Sequence, residues 1–229
     1  ISAWYLRKGR EVELARRALK IALPVTCVAA IAVSLVGHFN AQLMTEQQPM
    51  KMAAAEALWE TEKPAGLSIF ATGDFSRNPG GTNHNITIPH LLSLMAANDP
   101  NAEVKGIDEI NAEYQRTYGP GDYVPVVGVA YWSFRAMIGA GLAVALLTLI
   151  GWILLHRRTI EKARRWQWLA VAGIVLPFLA NSAGWLFTEM ARQPWVVFGL
   201  LRTEDAISPN VTSAEVAITL IGFTLVYAV

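Results

Sequence analysis

Three long runs without a charged side chain limit what this chain can fold into. Ala136 to Leu155 and Trp166 to Thr188 carry no Asp, Glu, Lys or Arg, and Ile21 to Thr45 adds only His38 as a titratable group. Each run reaches the roughly 20 residues that cross about 30 Å of hydrocarbon at 1.5 Å per residue. A water-soluble domain would scatter its charges along the chain, whereas here they collect between the runs. The expected fold is all-α, a polytopic membrane helix bundle of three full spans plus two partial spans, with a large external loop. The apolar stub Ile1–Leu6, which lacks an initiating Met, and the uncharged stretch from Val216 to Val229 are expected to be pieces of membrane helices cut by the ends of the chain. Cys27 is the one cysteine, so no internal disulfide can form, and a buried thiol is expected there.

The formal net charge of +1 hides an asymmetry that orients the spans. Arg7, Lys8, Arg10, Arg16, Arg17 and Lys20 crowd the segment before the first full span, and Arg157, Arg158, Lys162, Arg164 and Arg165 crowd the segment between the last two. Residues 38–125 are acidic on balance. Short Lys/Arg-rich loops stay in the cytoplasm. The expected order is therefore 1–6 end of a membrane helix, 7–18 cytoplasmic loop and 19–37 membrane helix. Then come 38–125 external loop, 126–155 membrane helix, 156–165 cytoplasmic loop and 166–190 membrane helix. Residues 191–211 form an external loop and 212–229 start a last membrane helix. The basic clusters are topology signals, and no nucleic-acid partner is expected. Trp132, Trp185 and Trp195 fall at the outer boundary and Trp152, Trp166 and Trp168 at the inner one, as an aromatic belt would.

Loops as long as 38–125 are usually functional. Thr45-Glu46-Gln47-Gln48 has the spacing of a capping box ahead of Pro49, and Met50 to Glu60 is rich in helix formers. Asp74 to Asn85, with Asn78-Pro79-Gly80-Gly81, reads as a turn or mobile tip. Ile86 to Met95 reads as a strand passing into a helix, and Ile107 to Tyr118 as a second helix stopped by Gly119-Pro120-Gly121. Thr212-Ser213-Ala214-Glu215 is another capping-box pattern.

Few residues offer chemistry. Glu189 closes an uncharged run, about 31 Å above Trp168. An acid at such a depth faces a cavity, a partner or a cofactor; the alternative is an ion pair with Arg192 on the same helical face. Met137 lies about 27 Å above Leu155, at a similar level, with Gly141 one turn away on its own face. A thioether can ligate haem iron and glycines leave room for a flat macrocycle; equally, methionine fills gaps and glycine marks helix contacts. Arg135 lies about 200° round the helix from Met137, so the two do not share one small site. Lys51 and Glu56, about 140° apart on the external helix, can border one cleft or lie on a solvated face. The histidines show no ligand spacing, and no phosphate-binding loop or nucleophile triad is present.

Three stretches carry a resemblance. Gln47-Gln48-Pro49-Met50-Lys51-Met52-Ala53-Ala54-Ala55-Glu56-Ala57 resembles the start of the quinol-binding external loop of cytochrome bd subunit I. Tyr131-Trp132-Ser133-Phe134-Arg135-Ala136-Met137-Ile138-Gly139 resembles that family's Phe-Arg-x-Met helix. Ala183-Gly184-Trp185-Leu186-Phe187-Thr188-Glu189-Met190-Ala191-Arg192-Gln193-Pro194-Trp195 resembles its Gly-Trp…Glu…Arg-Gln-Pro-Trp signature. Ser2-Ala3-Trp4-Tyr5-Leu6 resembles the end of its fifth helix, and the short external loop resembles the short-loop group.

The resemblance implies that Met137 is an axial ligand of low-spin haem b and Glu189 of high-spin haem b. It implies that Lys51 and Glu56 lie at the quinol site, that Arg135 and Arg192 stabilise haem propionates or reduced sites, and that Trp185 lies among the haems. Haem d, whose ligand is expected in a missing N-terminal half, would complete the set. The activity implied is quinol oxidation at the external face of a bacterial plasma membrane, with electrons passing through the b haems to haem d and reducing O2 to water. That generates a proton motive force without pumping. Implied partners are oxidase subunit II, small accessory single-span subunits, membrane quinol and the lipid bilayer. The competing reading is a polytopic transporter with a buried Glu/Arg site, which broken or paired repeat helices would favour.

Overall fold

The computed structural model describes residues 1–76 and 82–228 and is mostly helical. Two compact units are present, Ile1–Gln193 and Pro194–Val229. In the first, α1 (Ser2–Lys8) ends on Gly9 in the left-handed conformation and α2 (Val12–Gln47) follows. Next come α3 (Pro49–Glu56), β1 (Leu67–Gly73), β2 (Thr82–Ile88), α4 (Leu91–Ala97), α5 (Ile107–Tyr118) and α6 (Val127–His156). The unit closes with α7 (Arg164–Ala172), a single 3-10 turn over Gly173–Val175, and α8 (Leu176–Ala191).

Three helical stretches are long and apolar enough to cross a membrane: Val12–Gln47, Val127–His156 and Arg164–Ala191. Their flanks are exposed on this chain, with Val25, Ile31, Leu142, Ile174 and Phe178 all outward. Such a surface suits lipid and would be costly in water. Helix α2, at 36 residues, rises about 54 Å, well beyond the 19–37 expected of the span alone. It passes through Pro24 unbroken, and the hydroxyls of Thr26 and Ser34 bond back to the carbonyls of Ala22 and Ala30. In an apolar solvent those groups have no better partner.

Its upper end replaces the capping box expected at Thr45. Thr45 lies inside the helix, bonded to the Ala41 carbonyl, and the chain turns only at Gln48, before Pro49 opens α3. Helix α3 stops at Glu56, short of the expected Glu60, because Ala57 turns left-handed and donates back to Ala53 and Ala54. Cys27 is half-buried rather than buried. Trp166 is buried within the chain, with its indole N–H donating to the Leu147 carbonyl at 2.9 Å.

The segment between α2 and α6 is a small folded body. Met52, Leu58, Ala65, Leu92, Ala96 and Val104 form its core, with Ala41 and Met44 of α2 packed against it. Strands β1 and β2 pair antiparallel, Leu67 opposite Ile88 and Gly73 opposite Thr82, with an irregular register around Phe70. The strand expected from Ile86 is the end of β2 and passes into α4 as expected, but its pairing with β1 in a hairpin was not expected. Of the turn expected over Asp74–Asn85, residues 77–81 lie outside the described residues, and Thr82–Asn85 belong to β2. Helix α5 matches its expected bounds and ends on Gly119. Against this body, Ala54 and Ala55 of α3 pack on Ala130 and Phe134 of α6 and on Phe187 and Ala191 of α8. Small residues on α3 allow that close approach.

In the second unit, β3 (Trp195–Val197) and β4 (Leu201–Arg202) form a short hairpin, and α9 (Ser213–Tyr227) begins at the expected capping box, with Thr212 and Glu215 exchanging bonds.

Candidate functional site

Helix α3 delivers Glu56 into the interior, where its side chain is 2% exposed. An isolated carboxylate there would be costly, and α6 supplies its counterion. Arg135 Nη2 lies 2.6 Å from Glu56 Oε2 and 2.5 Å from the Ser68 carbonyl, while Nη1 bonds to the Ala55 carbonyl. The guanidinium thus covers the C-terminal end of α3, where cations are favoured. It also lies 3.9 Å over the Tyr131 ring, one turn below on α6. The Ser68 backbone N–H donates to Glu56 Oε2 at 3.1 Å, and the Ser68 hydroxyl bonds to Tyr131 Oη at 2.8 Å and to His84 Nδ1 at 2.9 Å. Burial pushes the Glu56 carboxyl up to about 7, with the charge and hydrogen bond of Arg135 pulling the other way. A carboxyl poised there can both take and release a proton at neutral pH.

Lys51 faces elsewhere. Its ammonium lies 5.5 Å from the Phe187 ring. Burial and nearby Arg192 lower its pKa, with Glu189 pulling it up. Lys51 and Glu56 therefore lie at opposite ends of α3, Glu56 against α6 and Lys51 against the end of α8. Glu189 pairs with Arg192 at 2.6 Å, and each is about one-third exposed.

Met137 points at α8. A Cβ built on Gly184 would come within 2.8 Å of its sulfur, so glycine there is what lets the thioether sit against the helix. Nothing lies within 4 Å of where a Cβ would be at Gly139 or Gly141, which leaves bare backbone beside Met137. A thioether beside open glycines is a donor that haem iron accepts, and the Glu189 carboxylate, paired with Arg192 and one-third exposed, is another. Trp185 is exposed on α8. Among the described residues no cluster of three His, Cys, Asp or Glu side chains could hold a bare metal ion.

Ser68, Tyr131 and His84 were not singled out from sequence. Tyr131 stands four residues before Arg135, on one helical face, which is a usable signal. Ser68 and His84 lie on the unexpected hairpin and carry no local signal.

The fold and this site define a membrane-embedded helix bundle whose loop body buries a carboxylate–guanidinium pair at the head of a span. Matching the family model described as cytochrome bd terminal oxidase subunit I over residues 1–229, the chain belongs to that family. It is 42% identical over 230 residues to the Bacillus subtilis (strain 168) protein "Cytochrome bd ubiquinol oxidase subunit 1", covering 100% of this chain and 49% of that one. It is 29% identical over 286 residues to the Escherichia coli (strain K12) "Cytochrome bd-II ubiquinol oxidase subunit 1", covering 99% and 55%. The solved bd oxidase from Geobacillus thermodenitrificans superposes with a TM-score of 0.83 at 30% identity, over 100% of this chain and 49% of that one. The chain spans about half the length of these relatives.

Proposed function

We propose that this chain provides the quinol-oxidising part of subunit I of a respiratory oxidase in a bacterial plasma membrane. The observation that carries the reading is the Glu56–Arg135 pair: a buried carboxyl near neutral pKa, held by a fixed cation at the head of a membrane helix. Oxidising a quinol releases protons together with electrons, and a poised carboxyl is the group that such a site needs. Glu56 accepts a quinol hydroxyl proton, and Arg135 holds the resulting charge balance. Lys51, on the same helix, orients the quinol head by hydrogen bonding from the side of α8. Residues 38–125 lie on the external face, so the protons leave there.

Met137 would hold low-spin haem b and Glu189 high-spin haem b, while haem d would take its ligand from elsewhere in the oxidase. These haems, when bound, supply the electron path from quinol to O2, which is reduced to water. Protons released outside and protons drawn from inside then build a membrane potential without a pump. Arg192 fixes the Glu189 carboxylate through their ion pair, and Trp185, exposed on α8, would lie among the haems. Arg135, committed to Glu56, acts on the quinol side rather than on a propionate. Oxidase subunit II and small single-span subunits would cover the exposed apolar flanks.

The transporter reading has less support: α2 and α6 are continuous helices, and the family that the chain belongs to is an oxidase subunit. A reduced-minus-oxidised absorption spectrum of the intact oxidase tests the proposal. Bands of haem b and haem d are expected, with the low-spin haem b band lost in Met137→Leu. A spectrum without haem bands would overturn it.

A further inference from the structure

Glu56 has a second carboxylate oxygen, Oε1, that is buried and has no hydrogen-bond partner. The residue lines a cavity of about 360 Å³ whose other walls include Glu62, Gly66, Thr87, His90 and His84. At about 30 Å³ per water molecule, that space accommodates several waters. His84 belongs to β2 and reaches the surface of the loop body, with the Nδ1 side of its ring partly buried against Ser68. One residue ties it to the acid: the Ser68 N–H holds Glu56 Oε2 while the Ser68 hydroxyl holds His84 Nδ1. Tyr131, bonded to the same hydroxyl, fixes that junction from α6. The acid and the imidazole are therefore joined by a common support and open onto one polar cavity.

We propose that His84 carries the proton that Glu56 takes from quinol out to the external water, through the cavity the two residues share. The proposal rests on the quinol reading of Glu56. In the relay, the O–H bond of protonated Glu56 breaks and its proton passes to a cavity water. That water gives a proton to a ring nitrogen of His84, and the imidazolium releases it to solvent. Only a proton moves, and each group returns to its starting state.

The surroundings favour an uncharged ring that can accept. Burial holds His84 below the ordinary histidine range, the Ala57 carbonyl and Glu62 pull it up, and Arg135 pushes it down. His90, on the same cavity wall, donates its Nδ1–H to the Pro100 carbonyl at 3.0 Å, which engages that nitrogen outside the relay. A carboxyl near 7 handing its proton to an imidazole held below its usual range is an uphill step, completed by loss of the proton to water.

The test uses His84→Gln in the intact oxidase, reconstituted in vesicles with a membrane-impermeant pH dye on the external side. Gln keeps a polar group for Ser68 but cannot carry a proton. The expected result is a loss of quinol-oxidase turnover of about tenfold or more at neutral pH, with quinol KM and haem absorption unchanged. Proton appearance should slow in step, and added imidazole should restore both. Wild-type turnover and proton release across the pH range would overturn the proposal. So would a loss that imidazole leaves untouched and that comes with a raised KM, since that marks a structural role. Glu56→Gln run in parallel separates the two ideas. Full turnover in Glu56→Gln defeats the quinol reading itself, whereas an inactive Glu56→Gln beside a normal His84→Gln defeats the relay alone.

Discussion

Arg135 Nη2 lies 2.6 Å from Glu56 Oε2, and the two residues are 79 positions apart in the chain. One comes from the short helix α3 and the other from the first turns of α6, so their pairing fixes the loop body onto the bundle. With the Arg135 side chain 12% exposed and Glu56 2% exposed, neither charge is solvated well enough to stand alone.

Removing the cation should therefore be expensive. Arg135→Leu is expected to destabilise the protein by about 3–5 kcal/mol, less whatever Glu56 recovers by staying protonated. Thermal unfolding in detergent measures this. Glu56→Gln combined with Arg135→Leu should recover part of the loss, because the buried carboxylate is gone.

The Glu56 pKa has consequences for both activity and stability. A proton acceptor must start ionised, so turnover should fall as the pH drops below about 7. Stability runs the other way. The folded carboxyl binds its proton more tightly than the unfolded one, so its contribution is full below the ordinary value of 4.5 and is lost as pH rises through about 7. Glu56→Gln should flatten that part of the stability profile. In Arg135→Leu the acidic limb of the turnover profile should move to higher pH, since the group that lowers the Glu56 pKa has gone.

Gly184 tests the position of Met137. A Cβ there would stand 2.8 Å from the Met137 sulfur, so Gly184→Ala must push the thioether aside. The low-spin haem b band should shift, while Gly141→Ala, with nothing within 4 Å, should leave folding intact. Absorption spectra follow the haem in Gly184→Ala, and thermal unfolding follows the fold in Gly141→Ala.

Gly106 tests the loop body. A Cβ there would collide with the backbone carbonyls of Trp59 and Glu60, and backbone cannot swing aside as a side chain can. Gly106→Ala should cost about 1–3 kcal/mol and increase proteolysis within the segment between α2 and α6.

Much of the bundle was legible because a bilayer imposes length and polarity on any helix that crosses it. The run Ala136–Leu155 led to α6 with bounds within a residue or so of Val127–His156. The ends of α2 were not legible. Apolar periodicity marks only the part of a helix within lipid, and α2 continues past it at both ends. The capping box read at Thr45 was outweighed by helix continuation up to Gln48. Of the β-hairpin only the end of β2 was legible, in the strand expected from Ile86 that passes into helix α4. Leu67–Gly73 and the start of β2 were missed because neither strand alternates buried and exposed residues.

Within the site, the resemblance singled out Glu56 and Arg135 separately. That they hold each other follows only from the long-range packing of α3 on α6. The same packing turned Lys51 toward Glu189 and Arg192, which spacing along one short helix could not decide.

The central claim is that Glu56 takes the quinol proton, and Glu56→Gln in the intact oxidase tests it most directly. Quinol-oxidase turnover is expected to fall by on the order of a hundredfold or more while the haem bands remain at full intensity. Turnover equal to wild type, with the same haem content, would contradict the account.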